Sequence, residues 1–203
     1  MRKKRLIHLS IGPLMGAFLG FVTIPIVAWY YSVEDVARLS LFQVAINLSL
    51  TVFCLGMHQA YVREFHEKEN KHALLMTAIL PGLLITTLAC LSILLLPITE
   101  AVFSIDSYQV TYSLIIAIFS SFLVNFINHS FRMRENIIGF TLTIVLSKAI
   151  MLFLIFGLVF LNTTSDFRIL ASIQAIALLI TVLVVFGMDE KYLIHALKAP
   201  INM

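Results

Sequence analysis

All-α and integral to a membrane is the fold class this chain predicts, and three observations predict it. Of its 203 residues, 60% are hydrophobic and only 12% are charged, whereas soluble domains carry roughly a quarter charged residues. Its apolar runs of about 20 residues match a hydrocarbon core roughly 30 Å thick at 1.5 Å of rise per helical residue. Those runs show no strand-like alternation, and only helices or closed barrels satisfy every backbone group within lipid. A six-transmembrane-helix bundle follows.

The runs extend from Leu6 to Tyr31, Leu39 to Tyr61, Ala73 to Ile98, Val110 to Phe131, Ile137 to Leu161 and Ile169 to Gly187. The gaps between them are short and polar. No linker, low-complexity stretch or soluble insert interrupts them, so residues 1–203 read as one membrane bundle. Arg2, Lys3, Lys4 and Arg5 resemble the head of a secretory signal, but the apolar run behind them is long and the small-x-small triplet Ser10-Ile11-Gly12 comes too early for cleavage. The first run therefore reads as a retained anchor.

Lysine and arginine placement sets the orientation, because short loops rich in them stay cytoplasmic. Arg2, Lys3, Lys4 and Arg5, then Arg63, Lys68 and Lys71, then Arg132 and Arg134, and finally Lys191 and Lys198 fall on one side; only Arg38 and Arg168 fall on the other. Both termini are thus expected in the cytoplasm, and the net charge of +3 is mainly a topology signal. Nucleic acid is not an expected partner, since the basic residues are scattered over separate loops without base-stacking aromatics beside them.

Cys54 and Cys90 lie within apolar segments and lack metal-ligand spacing, so they read as small buried hydrophobes. The Asn162-Thr163-Thr164 triplet fits a glycosylation acceptor only formally. In the first run, Gly12, Gly16 and Gly20 recur every four residues, a spacing that permits close helix approach, while Pro13 and Pro25 each remove a backbone donor. A bent and tightly packed first helix is expected.

Lys148 is the sharpest single feature. It falls near the middle of the fifth run, where a charge costs roughly 2.5 to 3.5 kcal/mol on insertion scales. The acidic residues, from Glu34 and Asp35 to Asp189 and Glu190, lie in loops, tails or helix ends, so none shares its depth. The lysine should face a cavity, an anionic ligand or another chain, or snorkel toward the interface. A second polar set comprises Gln43, Asn47, His58 and Gln59 on the second run and Asn125, Asn128 and His129 on the fourth. Single interhelical amide bonds are ordinary glue worth about 0.6 kcal/mol, but under the assigned topology His58, Arg63, His129 and Arg132 gather toward the cytoplasmic ends, where together they attract phosphate. Catalytic constellations are missing: there is no H-x-x-x-H pair, Gly-rich phosphate loop or Ser nucleophile motif, and Glu100 and Asp106 read as solvated charges.

The segments Gly16-Ala-Phe-Leu-Gly-Phe-Val-Thr-Ile-Pro-Ile-Val27, Val33-Glu-Asp-Val-Ala37 and, most specifically, Leu55-Gly-Met-His-Gln-Ala-Tyr-Val-Arg-Glu-Phe-His-Glu67 resemble the start of Wzx-type polysaccharide flippases. Their superfamily also holds the MATE exporters and lipid II flippases. The resemblance implies a bacterial inner-membrane protein of surface polysaccharide biosynthesis (O-antigen of lipopolysaccharide, or capsule). Such a protein moves a polyprenyl-pyrophosphate-linked oligosaccharide to the periplasmic leaflet by alternating access between two six-helix lobes. Carried over residue by residue, it touches Gln59, Arg63 and Glu64, and for the basic residues lining the lobe cavity it points to Lys148. His58 departs from the acidic residue expected at its place, which removes support for proton coupling there. The chain corresponds to the N-terminal six-helix half alone, as a truncated product, a fragment, or half of a split or dimeric transporter.

The candidate substrate-binding set is therefore Lys148, Arg63, His58, Gln59, Asn47, Asn125 and His129, with no catalytic residue, metal ligand or cofactor expected. Expected partners are a lipid-linked oligosaccharide, membrane lipids, and a second lobe or a second copy of the chain. Three other readings compete. A cation-coupled drug exporter lobe of the same fold would need a mid-membrane carboxylate. A non-transporting scaffold or accessory subunit of a glycan-assembly complex would bring Lys148 against another protein. A polyprenyl-phosphate enzyme would need acidic residues near the interface.

Topology reporters fused after Lys71, Glu135 and Met203 are expected to respond as cytoplasmic, and those after Asp35, Ser104 and Asp166 as periplasmic. One site reporting the opposite side refutes the assigned orientation.

Overall fold

The computed structural model describes the backbone of residues 2–105, 107–161 and 166–189, with side chains from Ser10 onward. The side chains of the N-terminal basic cluster, together with Asp106, the Asn162–Thr164 triplet, Glu190, Lys191 and Lys198, lie outside the described residues. Among the described residues there are eight helices and no strand: α1 Arg2–Tyr30, α2 Val33–Phe53, α3 Met57–Glu64, α4 Lys71–Leu95, α5 Ile98–Phe103, α6 Tyr108–Met133, α7 Ile137–Phe160 and α8 Phe167–Met188. Six of them, α1, α2, α4, α6, α7 and α8, are long and apolar enough to cross a membrane. The all-α membrane bundle expected from composition is therefore what the chain forms.

Local chemistry sets the helix boundaries more sharply than hydropathy does. Ser32 caps α2 by accepting from the Asp35 N–H at 3.1 Å, so that helix begins a turn and a half before the apolar run, within the charged residues Glu34, Asp35 and Arg38 that hydropathy excludes. Asn70 accepts from the Ala73 N–H at 3.1 Å and Asn136 from the Gly139 N–H at 3.0 Å, which start α4 and α7. The second run does not continue unbroken to Tyr61. Leu55 and Gly56 take left-handed backbone, with φ of 46° and 69°, and split it into α2 and the short α3. Hydropathy passes over this break because Leu55 and Met57 keep the run apolar; the glycine at the turn is its sequence mark. The third run ends at Leu95, since Leu96 precedes Pro97 and adopts extended backbone, and the chain re-forms as α5.

Packing centres on α6. Its Val110, Leu114, Ala117, Ile118, Phe122, Phe126 and Phe131 are buried against α8, α4, α7 and α2. Buried side chains divide into two clusters. One gathers Val27, Phe42, Phe103 and Phe167; the other gathers Cys54, Tyr61, Phe65, Phe126 and Phe131. They occupy opposite ends of the bundle. The first lies toward the end where Trp29, Tyr30 and Tyr108 remain exposed, the side chains that favour a membrane–water interface; we term it the aromatic end. The second lies at the end carrying α3 and the α6–α7 turn, the basic end. There Arg134 makes a bidentate pair with Asp189, fastening the turn to the close of α8. Exposed side chains between the two ends, such as Phe18, Phe21, Leu84, Leu88 and Phe153, are those a lipid-facing surface requires.

The first helix lies outside this centre and runs alongside α7. A Cβ on Gly12 would stand 3.1 Å from the Thr141 Cα, one on Gly16 would stand 2.7 Å from Ile144 Cγ2, and Gly20 faces the Lys148 ammonium. The four-residue glycine spacing thus matches Thr141, Ile144 and Lys148 of α7, step for step. Close backbone approach of this kind is what small residues allow where no hydrophobic driving force exists between helices.

Gly16→Leu is expected to push α1 from α7 and destabilise the fold by about 1–3 kcal/mol, the usual cost of overpacking. Gly157, which has open space around it, should accept Ala without loss. Thermal unfolding of the two variants in detergent separates the cases; equal midpoints would refute the glycine contact.

Candidate functional site

Where α1 leaves α7 and α2 leans toward α8, the helices enclose a cavity of about 530 Å³. Each wall owes its polarity to helical spacing. On α2, Ser40, Gln43 and Asn47 recur at i, i+3 and i+7, a single face; α1 offers Gly20, Thr23 and Val27 at the same spacing; α7 contributes Ser147 and Lys148, and α8 contributes Gln174. Apart from Ser121 of α6, the remaining walls are apolar, from residues such as Ile24, Val36, Leu39, Ile46, Met151 and Leu178. Ser40, Gln43, Asn47 and Lys148 are all exposed, so the cavity opens on their side.

Lys148 is the twelfth of the 24 residues of α7, roughly 16 Å along the helix from its start. Its Nζ donates to the Gly16 carbonyl at 2.9 Å. An ammonium carries three donors, so one is engaged by Gly16 and two are left over at the cavity wall. No Asp or Glu belongs to the lining. The site is thus a cationic spot in an otherwise neutral polar surface. Gln43 Nε2 donates to Gln174 Oε1 across the α2–α8 seam at 3.4 Å, the long limit for such a bond. Two of the hydroxyls are committed to their own helices: Thr23 donates to the Leu19 carbonyl at 2.7 Å and Ser40 to that of Val36 at 2.9 Å, leaving their oxygen lone pairs as acceptors.

Of the candidate substrate-binding residues, the structure brings Lys148 and Asn47 into this cavity, together with Gln43 of the second polar set, and leaves the others apart from it. His58 and Gln59 are on α3, not on the second spanning helix, because of the break at Leu55–Gly56. His58 stacks on His129 of α6 with ring centroids 4.9 Å apart, and Nδ1 of each is buried without a hydrogen-bond partner. One turn away Asn125 Nδ2 approaches Cys54 Sγ at 3.9 Å, so residues Cys54 and His58 meet Asn125 and His129 rung by rung at the basic end. Arg63 and Gln59 are exposed on α3. Asn128 is taken up by a hydrogen bond to Thr143 of α7. The candidates therefore split into a mid-depth cavity and a separate cluster at the basic end.

Gln174 is the lining residue that sequence reading missed. It is the one amide in α8 and, with Ser172 and Thr181, one of few polar side chains beyond the first turn of that helix, but an uncharged side chain at one position is easily taken for helix glue.

A family model described as polysaccharide biosynthesis protein matches residues 3–199. Neither the curated proteins nor the solved structures give a match to the chain. Members of the matched family are transporters rather than enzymes. With nearly its whole length under one family model, this multi-pass membrane chain belongs to the polysaccharide biosynthesis protein family, the family of the Wzx-type flippases.

Proposed function

We propose that this chain forms one lobe of a flippase that carries a polyprenyl-pyrophosphate-linked oligosaccharide from the cytoplasmic to the periplasmic leaflet of the inner membrane, for O-antigen or capsule biosynthesis. The observation that carries the reading is Lys148: a cation at mid-membrane depth, on the wall of a cavity whose lining holds no carboxylate, with its ammonium only partly engaged by the Gly16 carbonyl. A pyrophosphate supplies the missing counter-charge, and charge-assisted hydrogen bonds of that kind are worth roughly 1.5–3 kcal/mol each. This is of the order of the insertion cost of the lysine itself. In this reading the basic end is cytoplasmic, and His58, His129, Arg63 and Arg132 draw the phosphate toward the bundle before it reaches Lys148. A second lobe, either another copy or a separately encoded half, stands against the open side of the cavity, so that rocking of one lobe on the other alternates access.

A drug exporter lobe is not favoured, since the acidic residues of the chain lie at helix ends or outside the spans. An accessory, non-transporting subunit is the second reading, and the Lys148–Gly16 hydrogen bond is what favours it, because it gives the ammonium a purely internal partner. The two readings diverge on one variant. As a flippase residue, Lys148→Leu should leave protein level in the membrane near that of the wild type while surface polysaccharide falls at least about tenfold, the loss of about 1.4 kcal/mol of binding or more. Lys148→Arg should retain part of the export. A proportional loss of protein and polysaccharide would assign the lysine to folding and favour the accessory subunit.

Expressed alone in a strain lacking its flippase, the chain is expected not to restore surface polysaccharide, because a lone lobe offers one cavity wall with nothing opposite. Crosslinking should capture a dimer or a partner through α1 or α2. Restoration by a verified monomer would overturn the two-lobe mechanism.

A further inference from the structure

The geometry points to a glycan-reading half of this site, formed by the Gln43–Gln174 amide pair together with the Asn47 amide and distinct in role from the phosphate-reading Lys148. This assignment rests on the flippase reading above and adds the residues that recognise the uncharged sugar. Three observations carry it.

The first is incomplete bonding. One N–H of Gln43 and one lone pair of Gln174 are engaged, at 3.4 Å; the other amide hydrogens and Gln43 Oε1 are uncommitted, and the Asn47 side chain has no hydrogen bond to any described residue. Leaving such groups unsatisfied at membrane depth is unfavourable. A ligand with alternating donors and acceptors removes that penalty, and neighbouring sugar hydroxyls, each both donor and acceptor, meet an amide N–H and C=O together.

The second is that the pair is redundant as structure. Helices α2 and α8 are already joined at the aromatic end, where Asp35 accepts from the Phe167 backbone N–H at 3.2 Å and Phe42 packs edge-on against Phe167 with centroids 6.2 Å apart. A long, weak amide bond adds little to that seam and parts readily for a ligand.

The third is complementarity within one surface. Ser40 and Thr23 have given their protons to their own helices and present acceptors, the amides present donors, and Lys148 supplies the cation. A molecule with an anionic end and a neutral hydroxylated end matches this distribution of groups; inorganic phosphate alone, or an uncharged sugar alone, matches only half of it.

The full chain in lipid nanodiscs, titrated with inorganic pyrophosphate and with a methyl-esterified hexosyl pyrophosphate, provides the test. Wild type should bind the hexosyl compound at least about tenfold more tightly than pyrophosphate, and Gln43→Leu and Gln174→Leu should each abolish that preference while changing pyrophosphate affinity less than about twofold, as expected for loss of one or two hydrogen bonds. Lys148→Leu should weaken both probes. Thermal midpoints without probe should be unchanged in the Gln variants; if a Leu variant does not fold, Gln43→Asn, which keeps the amide but withdraws it by one methylene, should show the same lost preference. Glutamine variants that weaken both probes alike, or neither, overturn the glycan assignment while a Lys148 effect leaves the flippase reading standing. No binding of either probe to wild type, or no effect of Lys148→Leu, overturns both.

Discussion

A lysine ammonium halfway along a membrane-spanning helix has to be kept out of hydrocarbon, and the surroundings of Lys148 follow from that constraint. The fifth long helix cannot turn this face to lipid without a cost of a few kcal/mol, and the face lies beside α1, on the open side of the cavity. The glycines of α1 are what let a backbone carbonyl reach it. With a larger side chain at residue 16 the two helices would stand apart, since even a Cβ there would lie 2.7 Å from Ile144, and the Gly16 oxygen would no longer accept from Lys148 at 2.9 Å. Small residues in the first helix and the charge in the fifth are thus two halves of one arrangement. Neither is explicable alone.

The distribution of the core extends the same logic. Aromatic packing is concentrated at the two ends of the bundle, around Phe42 and Phe167 at one and around Phe65, Phe126 and Phe131 at the other. Fastenings coincide with those ends: Asp35 on the Phe167 N–H, and Arg134 on Asp189. Between them lie Phe122, packed against Gly82 of α4, and, on the side of α1, α2 and α8, the cavity with its aliphatic and small polar side chains. Fastened ends and a packed α6 hold the polar wall at fixed depth and leave the cavity beside it unfilled, which a uniformly packed core would not do.

Much of this was legible in the sequence because membrane solvent leaves few options. Span number, the glycine seam and the anomaly of Lys148 each rest on a strong term: backbone satisfaction, close approach, and charge burial. What escaped rests on weak or local terms. The α2–α3 break depends on two left-handed residues inside an apolar stretch, and only Gly56 marks it. That break moved His58 and Gln59 off the spanning helix and so away from Asn47, which adjacency in the sequence had grouped with them. The meeting of Gln43 with Gln174 joins residues 131 positions apart, and single amides at membrane depth carry too little energy to dictate a pairing that pattern alone could foresee.

The separation of the histidine cluster from the cavity also bears on the headgroup passage proposed for this bundle. His58 and His129 stack face to face with buried, unpartnered Nδ1 atoms, whereas Lys148 retains an open side. The two imidazoles form a stacked pair at the basic end; Lys148 lies deeper, halfway along α7. An anion approaching from that end meets exposed Arg63 and Arg132 first, in high dielectric where attraction is mild, and then a lysine in a less polar setting where each contact counts for more. In the proposed flippase, a gradient of this kind draws charge inward without a deep trap at the entrance. The placement of weak attraction outside and strong attraction within follows from solvent exposure alone, so it holds for any anionic ligand that fits the cavity, and the neutral amides beside Lys148 are then what remain to distinguish one such ligand from another.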